Sequence, residues 1–160
     1  MAIKVFISHK QEDARKAKEI ADHLWLRHNI DSYLDVLDPV IGKNGEELAR
    51  YVRDKMGACT QLLAVITPIT SESWWVPWEI GVASEKELPL ATYTGARQLP
   101  DYMMKWPVLR NDQHLDAYAN ASKVADQERV LLERTVTAST ARHRTTQDFY
   151  RTLRKSLGQY

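Results

Sequence analysis

The chain has 160 residues, a length that suits one domain with a real hydrophobic core. Its 44% hydrophobic and 27% charged content is that of a globular chain and excludes a disordered one. Twenty-two Lys and Arg against 21 Asp and Glu leave a net charge of +1, which argues against a nucleic-acid binder driven by phosphate contacts. Cys59 stands alone and has no intramolecular disulfide partner, so a reducing compartment, the cytoplasm, and a place in the core are expected for it. The opening Met1-Ala2-Ile3-Lys4-Val5 moves directly into a strand pattern, and no secretory signal is read there. No apolar run approaches the ~20 residues that span a bilayer, so no membrane association is expected. Neither a repeat nor a linker interrupts the chain, which reads as a single domain over 1–160.

In chain order, Ile3 to Ser8 is the first predicted strand, with Ser8-His9-Lys10-Gln11 as its exit loop. From about Glu12 to Arg27 the pattern is an amphipathic helix, with Ala14, Ala17, Ile20, Ala21 and Leu24 on one face. Asn29 is its expected stop. A second strand is expected over Asp31 to Asp35. Val36 to Gly45 then reads as a loop punctuated by Pro39 and Gly42, long for a strand-to-helix connection and for that reason of functional interest. A helix from about Glu46 to Ala58 presents Leu48, Val52 and Met56 at fourfold spacing.

Leu62-Leu63-Ala64-Val65-Ile66 is an apolar run with no polar alternation, the pattern of a strand buried on both faces of a parallel sheet. Thr67-Pro68 ends it. A polar turn and then Trp74-Trp75-Val76-Pro77-Trp78-Glu79 follow, read as a helix start with Ser71 or Ser73 as cap. Leu90 to Tyr93 is a fourth strand, Thr94 to Lys105 reads as irregular, and Trp106 to Leu109 as an edge strand, where a proline is tolerated. From Asp112 onward the chain reads as helical, with Leu115, Tyr118 and Ser122 on one face and a last helix carrying Phe149, Leu153 and Leu157.

Strands alternating with helices predict an α/β fold: a flavodoxin-like, five-stranded parallel sheet in the order 2-1-3-4-5, with helices on both faces and a C-terminal helical extension. In that order the switch point lies between the first and third strands. The loops meeting there are Ser8-His9-Lys10 and Thr67 to Ser73, and ligands in open α/β sheets bind at such points.

Neither a phosphate-binding Gly-x-x-x-x-Gly-Lys loop nor a GxGxxG turn is present. The five histidines His9, His23, His28, His114 and His143 show no ligand spacing, and no metal is expected. His23 and His28 read as residues on or near a helix surface. His9 differs, because its loop faces the crevice. The Arg-rich stretch from Arg142 to Lys155 reads as a solvated helix face.

What remains is Glu79 with aromatic neighbours and several hydroxyls. Trp75 shares a helical face with it. Indoles stack on flat rings; a carboxylate accepts hydrogen bonds from ribose hydroxyls and stabilises an oxocarbenium-like centre. The simpler account is a surface Glu near a helix start, favoured by the helix dipole. Three tryptophans within five residues weigh against it, since exposed indoles usually serve a purpose.

These residues resemble the Toll/interleukin-receptor (TIR) domain family over about residues 1 to 110, the later helices looking like an extension of bacterial members. Val5-Phe6-Ile7-Ser8-His9, with Asp13 beyond, is similar to its first-strand box. Asp35 through Asp38-Pro39 to Gly42, then Glu46-Glu47-Leu48, is similar to its second strand and BB loop. Ser73-x-Trp75-Val76-x-x-Glu79 is similar to its Ser-x-Trp-x-x-x-Glu motif, the most specific part. Thr70 stands where many members carry an aromatic, and Pro77 is unusual inside the motif.

The resemblance implies a NAD-consuming enzyme of bacterial type in which Glu79 is catalytic. Phe6, Ser8, His9, Lys43, Ser73, Trp75 and Trp78 are then candidates for substrate binding, Lys43 as the basic residue of the BB loop. NAD+ is implied as substrate and no cofactor as resident. The product would be nicotinamide and a linear or cyclic ADP-ribose signal in antiphage defence, as in Thoeris systems, read by a downstream effector. TIR–TIR self-association is implied as well. Two alternatives stand beside this reading: a non-catalytic TIR–TIR interaction domain, and a nucleoside deoxyribosyltransferase of similar fold.

Overall fold

A computed structural model describes residues 2–34, 45–68 and 75–159, and of Gly45, Leu48, Ala49, Trp75, Val76, Trp78 and Tyr102 the backbone alone. The expected end of the second strand at Asp35, the BB-loop residues up to Asn44 with Lys43, and the turn residues from Ile69 to Trp74 with Ser73 lie outside the described residues.

Five parallel strands form the sheet: β1 (Lys4–Ser8), β2 (Asp31–Leu34), β3 (Gln61–Ile66), β4 (Leu90–Thr94) and β5 (Val108–Leu109), in the order β2-β1-β3-β4-β5. This is the flavodoxin-like arrangement expected from the alternation of strands and helices. All six residues of β3 are buried, as an unbroken apolar run at the sheet centre requires. Its register sets Ser8 opposite Ala64 on one side and Ile66 opposite Thr94 on the other.

Side-chain parity divides the core into two layers. Val5, Ile7, Leu63 and Val65 point to the face covered by α1 (Ala14–His28), α4 (Asp112–Leu132) and α5 (Ala138–Leu157), among Ile20, Leu24, Leu115, Tyr118, Phe149 and Leu153. Phe6, Leu62, Ala64 and Ile66 point to the face covered by α2 (Gly45–Gly57) and α3 (Trp75–Glu85), among Val52, Met56, Ile80 and Ala83. Truncating a side chain such as Leu63, fully buried between strand and helices, costs about 2–5 kcal/mol in such cores.

The ends of the elements follow from local chemistry. Asn29 adopts the left-handed conformation (φ 55°) after α1, and its N–H and that of Ile30 reach back to the carbonyls of Trp25 and Leu24. The Asn111 side chain caps α4 by accepting from the N–H of His114 at 2.9 Å, and Thr137 does the same for α5 from Thr140. Three details differ from the sequence reading. The helix expected from Glu12 opens as a 3₁₀ turn (Gln11–Asp13), because Asp13 is buried and leaves helical geometry at φ −100°, ψ 6°. The stretch from Thr94 to Lys105 is not wholly irregular: Asp101–Lys105 form a second 3₁₀ turn that buries Met103. β5 holds only Val108 and Leu109, because Pro107 has no N–H to pair and contributes its carbonyl alone, to Thr92. The edge beyond it meets the side-chain amide of Gln159, which accepts from the N–H of Val108 at 3.0 Å and donates to its carbonyl at 2.7 Å.

Candidate active site

The parity that sorts the core also aims the site. Ser8 shares a face of β1 with Phe6, the face covered by α3. Glu79 lies one position before Ile80, which packs on that same face. The two polar residues therefore meet at the carboxyl ends of β1 and β3, where the strand order reverses. The Ser8 hydroxyl donates to Glu79 Oε1 at 2.7 Å, and both side chains are buried with 0% exposure. The distance is that of a well-formed O–H···O hydrogen bond. A carboxylate withdrawn from water is costly unless donors reach it, so this contact bears on where Glu79 can sit.

Glu79 is thus not the solvent-facing residue of the simpler account. Nor does the helix dipole explain it, because the first turn of α3 contains no acidic residue and Glu79 is the fifth position of the helix. Trp75 opens α3 four residues before Glu79, on the same helical face by spacing. Trp78 lies on α3 as well, while Ser73 and Lys43 lie outside the described residues.

The other described residues expected at this site, His9 and Phe6, are both buried. His9 is 1% exposed, and its Nδ1 lies 3.0 Å from the carbonyl oxygen of Ile7. A carbonyl can only accept, so Nδ1 carries the proton and, in the neutral ring, Nε2 is left as an acceptor. Phe6 is fully buried and stacks obliquely on Tyr33 at 5.5 Å between ring centroids. It belongs to the wall behind Ser8 in the core.

A second contact joins the two loops of the crevice. The Thr67 hydroxyl, directly after β3, donates to Asp13 Oδ1 at 2.8 Å, and Asp13 is buried in the turn after β1. In the sequence Thr67 reads as a strand terminator and as the first residue of a loop facing the crevice, and its pairing with Asp13 is not foreseen. The available signal was a hydroxyl at the carboxyl end of a central strand facing an acidic residue on the neighbouring loop.

His23 and His28, expected on or near a helix surface, lie on α1 but turn inward. Their side chains are 12% and 13% exposed and both reach Asp116 on α4. Of the Arg-rich stretch, Arg142, Arg144 and Arg151 are exposed, as expected of a solvated face.

The family model described as the TIR domain matches residues 5–132, well over half of the chain. The match runs beyond the expected limit near residue 110 and through α4. No curated protein and no solved structure matches the chain.

Proposed function

The chain belongs to the TIR domain family, and on that premise we propose that it cleaves the bond between nicotinamide and ribose in NAD+, with Glu79 as the catalytic carboxylate. TIR domains either cleave NAD or signal through TIR–TIR association, and membership alone does not choose between the two. The observation that favours chemistry is the buried Ser8–Glu79 hydrogen bond at the strand-order reversal. A domain that only associates with its own kind has no use for a carboxylate held there. Family membership also favours these two readings over a deoxyribosyltransferase of similar fold.

In the proposed reaction the C–N glycosidic bond breaks heterolytically. The electron pair goes to the nicotinamide nitrogen, which leaves neutral, and positive charge develops on the ribose. The carboxylate of Glu79 stabilises that charge and orients the ribose hydroxyls; preorganised groups of this kind supply the largest single contribution in many enzymes. Ser8 holds the carboxylate in place, so it is a positioning residue. Trp75 and Trp78 are the candidates for packing against the substrate rings, and His9, Ser73 and Lys43 are further candidates for substrate contact. An acceptor, water or an atom of the adenosine end, captures the ribose and gives linear or cyclic ADP-ribose. The biological role we propose is a nucleotide signal in antiphage defence, sensed by an effector. Self-association, a general property of TIR domains, completes the site. Among the described residues no helix is long and apolar enough to cross a membrane. Incubation of the purified protein with NAD+ and separation of the products tests the reading: released nicotinamide supports it, and unchanged NAD+ under all concentrations of protein contradicts it.

A further inference from the structure

The contact between α1 and α4 brings together three side chains of metal-ligand type. His23 Nε2 lies 2.8 Å and His28 Nε2 2.6 Å from the same oxygen, Oδ1 of Asp116. All three ligand atoms lie within 4.8 Å of one another. The two imidazole rings face each other obliquely at 5.9 Å between centroids.

Helical spacing does not produce this arrangement. Positions five apart are rotated by about 140° around a helix, so His23 and His28 do not share a stripe. They converge because α4 carries Asp116 into the space between them, from 93 and 88 residues away in sequence. Apolar packing of α4 against the sheet, through Leu115, Tyr118 and Ala119, fixes that approach. The side chains of both histidines are mostly buried, while Asp116 keeps 33% exposure and leaves the cluster accessible from solvent. Arg27 Nη1 stands 3.8 Å from the other carboxylate oxygen, on the solvent side of the cluster and beyond hydrogen-bond distance.

We propose that His23, His28 and Asp116 form a binding site for a divalent transition-metal ion of the zinc type. Two imidazole nitrogens and one carboxylate oxygen suit zinc, cobalt or nickel, whereas magnesium and calcium prefer all-oxygen sites. Bonds of about 2.0–2.1 Å in tetrahedral geometry separate ligand atoms by roughly 3.3 Å. The two hydrogen-bonded distances of 2.8 and 2.6 Å must therefore open by roughly 0.5 and 0.7 Å, while the two imidazole nitrogens, within 4.8 Å of each other, settle to the same spacing. Binding replaces the two N–H···O contacts: each imidazole gives up its Nε2 proton, either to Nδ1 by tautomer exchange or to solvent. Three protein ligands leave the fourth position to water. The ion would tie α1 to α4 and so stabilise the fold. The site lies on helices of one sheet face, whereas Glu79 lies on a helix of the other, so metal binding and NAD cleavage are separable properties.

Titration of tag-free protein with Co2+ and Zn2+ tests the proposal. The expected result is one ion per chain, a dissociation constant on the order of micromolar or tighter, visible Co2+ absorption of tetrahedral type, and a rise of several degrees in the unfolding midpoint. His23→Gln and His28→Gln should each weaken binding at least about tenfold, one factor of ten being one lost ligand interaction of modest strength. Asp116→Asn should do the same, with circular dichroism reporting whether α1 and α4 remain folded. His143→Gln, an exposed histidine on α5, should bind as the parent does. Absence of saturable binding at one equivalent overturns the proposal, and so does binding that survives unchanged in both His23→Gln and His28→Gln.

Discussion

The hydroxyl of Ser8 donates to Glu79 Oε1 at 2.7 Å, joining the last residue of β1 to the middle of α3 with both side chains fully buried. The contact bridges 71 residues of sequence and lies where the sheet changes direction. It makes Ser8 the residue whose loss should disturb Glu79 without removing it. Ser8→Ala deletes the donor while keeping the backbone. A hydrogen bond to a charged group is worth about 1.5–3 kcal/mol. The expected outcome is a fall of about tenfold or more in kcat for NAD cleavage with a smaller change in KM, and a loss of stability of the same order. Unchanged kcat would remove Ser8 from the positioning role.

Thr67→Val tests the second bond across the crevice. The substitution keeps shape but removes the hydroxyl that reaches Asp13 at 2.8 Å. A loss of about 1 kcal/mol is expected. For a domain of this size that lowers the unfolding midpoint by about 2–4 °C. A melting curve identical to the parent's would show that the bond contributes nothing.

Cys59 gives a prediction in pH. Burial pushes its thiol up from 9.0 to about 11. The folded state holds the proton more tightly than the unfolded state. Its contribution to stability is therefore complete below pH 9 and is lost as pH rises through about 11. At pH 8 the native protein should react slowly with a thiol reagent and rapidly once unfolded. Immediate stoichiometric labelling of the native protein would contradict the buried placement.

Self-association gives a prediction in concentration. The proposed completion of the site by a neighbouring TIR domain, through residues 38–45, requires that specific activity fall on dilution. Full specific activity from a strictly monomeric sample would count against it.

Much of the fold was legible because its signals were local or periodic. The unbroken run Leu62 to Ile66 announced the central strand, Asn29 announced a helix end, and the alternation of strands with helices left one simple topology. The place where Ser8 and Glu79 meet was legible through that topology: once β1 and β3 are neighbours, the carboxyl end of β1 comes to the helix that follows β3. What stayed hidden was set by pairings without a periodic trace. Nothing in the spacing of His23 and His28 points to Asp116, because α4 supplies it from a remote part of the chain. The closure of the β5 edge by the Gln159 amide is likewise a single side chain meeting a distant strand. The 3₁₀ turn at Asp101–Lys105 is too short for periodicity to reveal.

In the proposed reaction the carboxylate charge of Glu79 carries the chemistry. Glu79→Gln keeps the size of the side chain and keeps an oxygen that can accept from Ser8, so the fold should stand. It removes the negative charge that would stabilise the developing positive charge on the ribose. That loss should cost on the order of 3 kcal/mol or more, at least about a hundredfold in rate. Glu85→Gln, an exposed carboxylate on the same helix, is the control and should change little. The measurement is nicotinamide release from NAD+ by both variants and the parent at equal concentration, with circular dichroism to verify folding. Near-complete loss is expected for Glu79→Gln and parent-like turnover for Glu85→Gln; a folded Glu79→Gln protein that releases nicotinamide at the parent rate would contradict the catalytic role of the carboxylate.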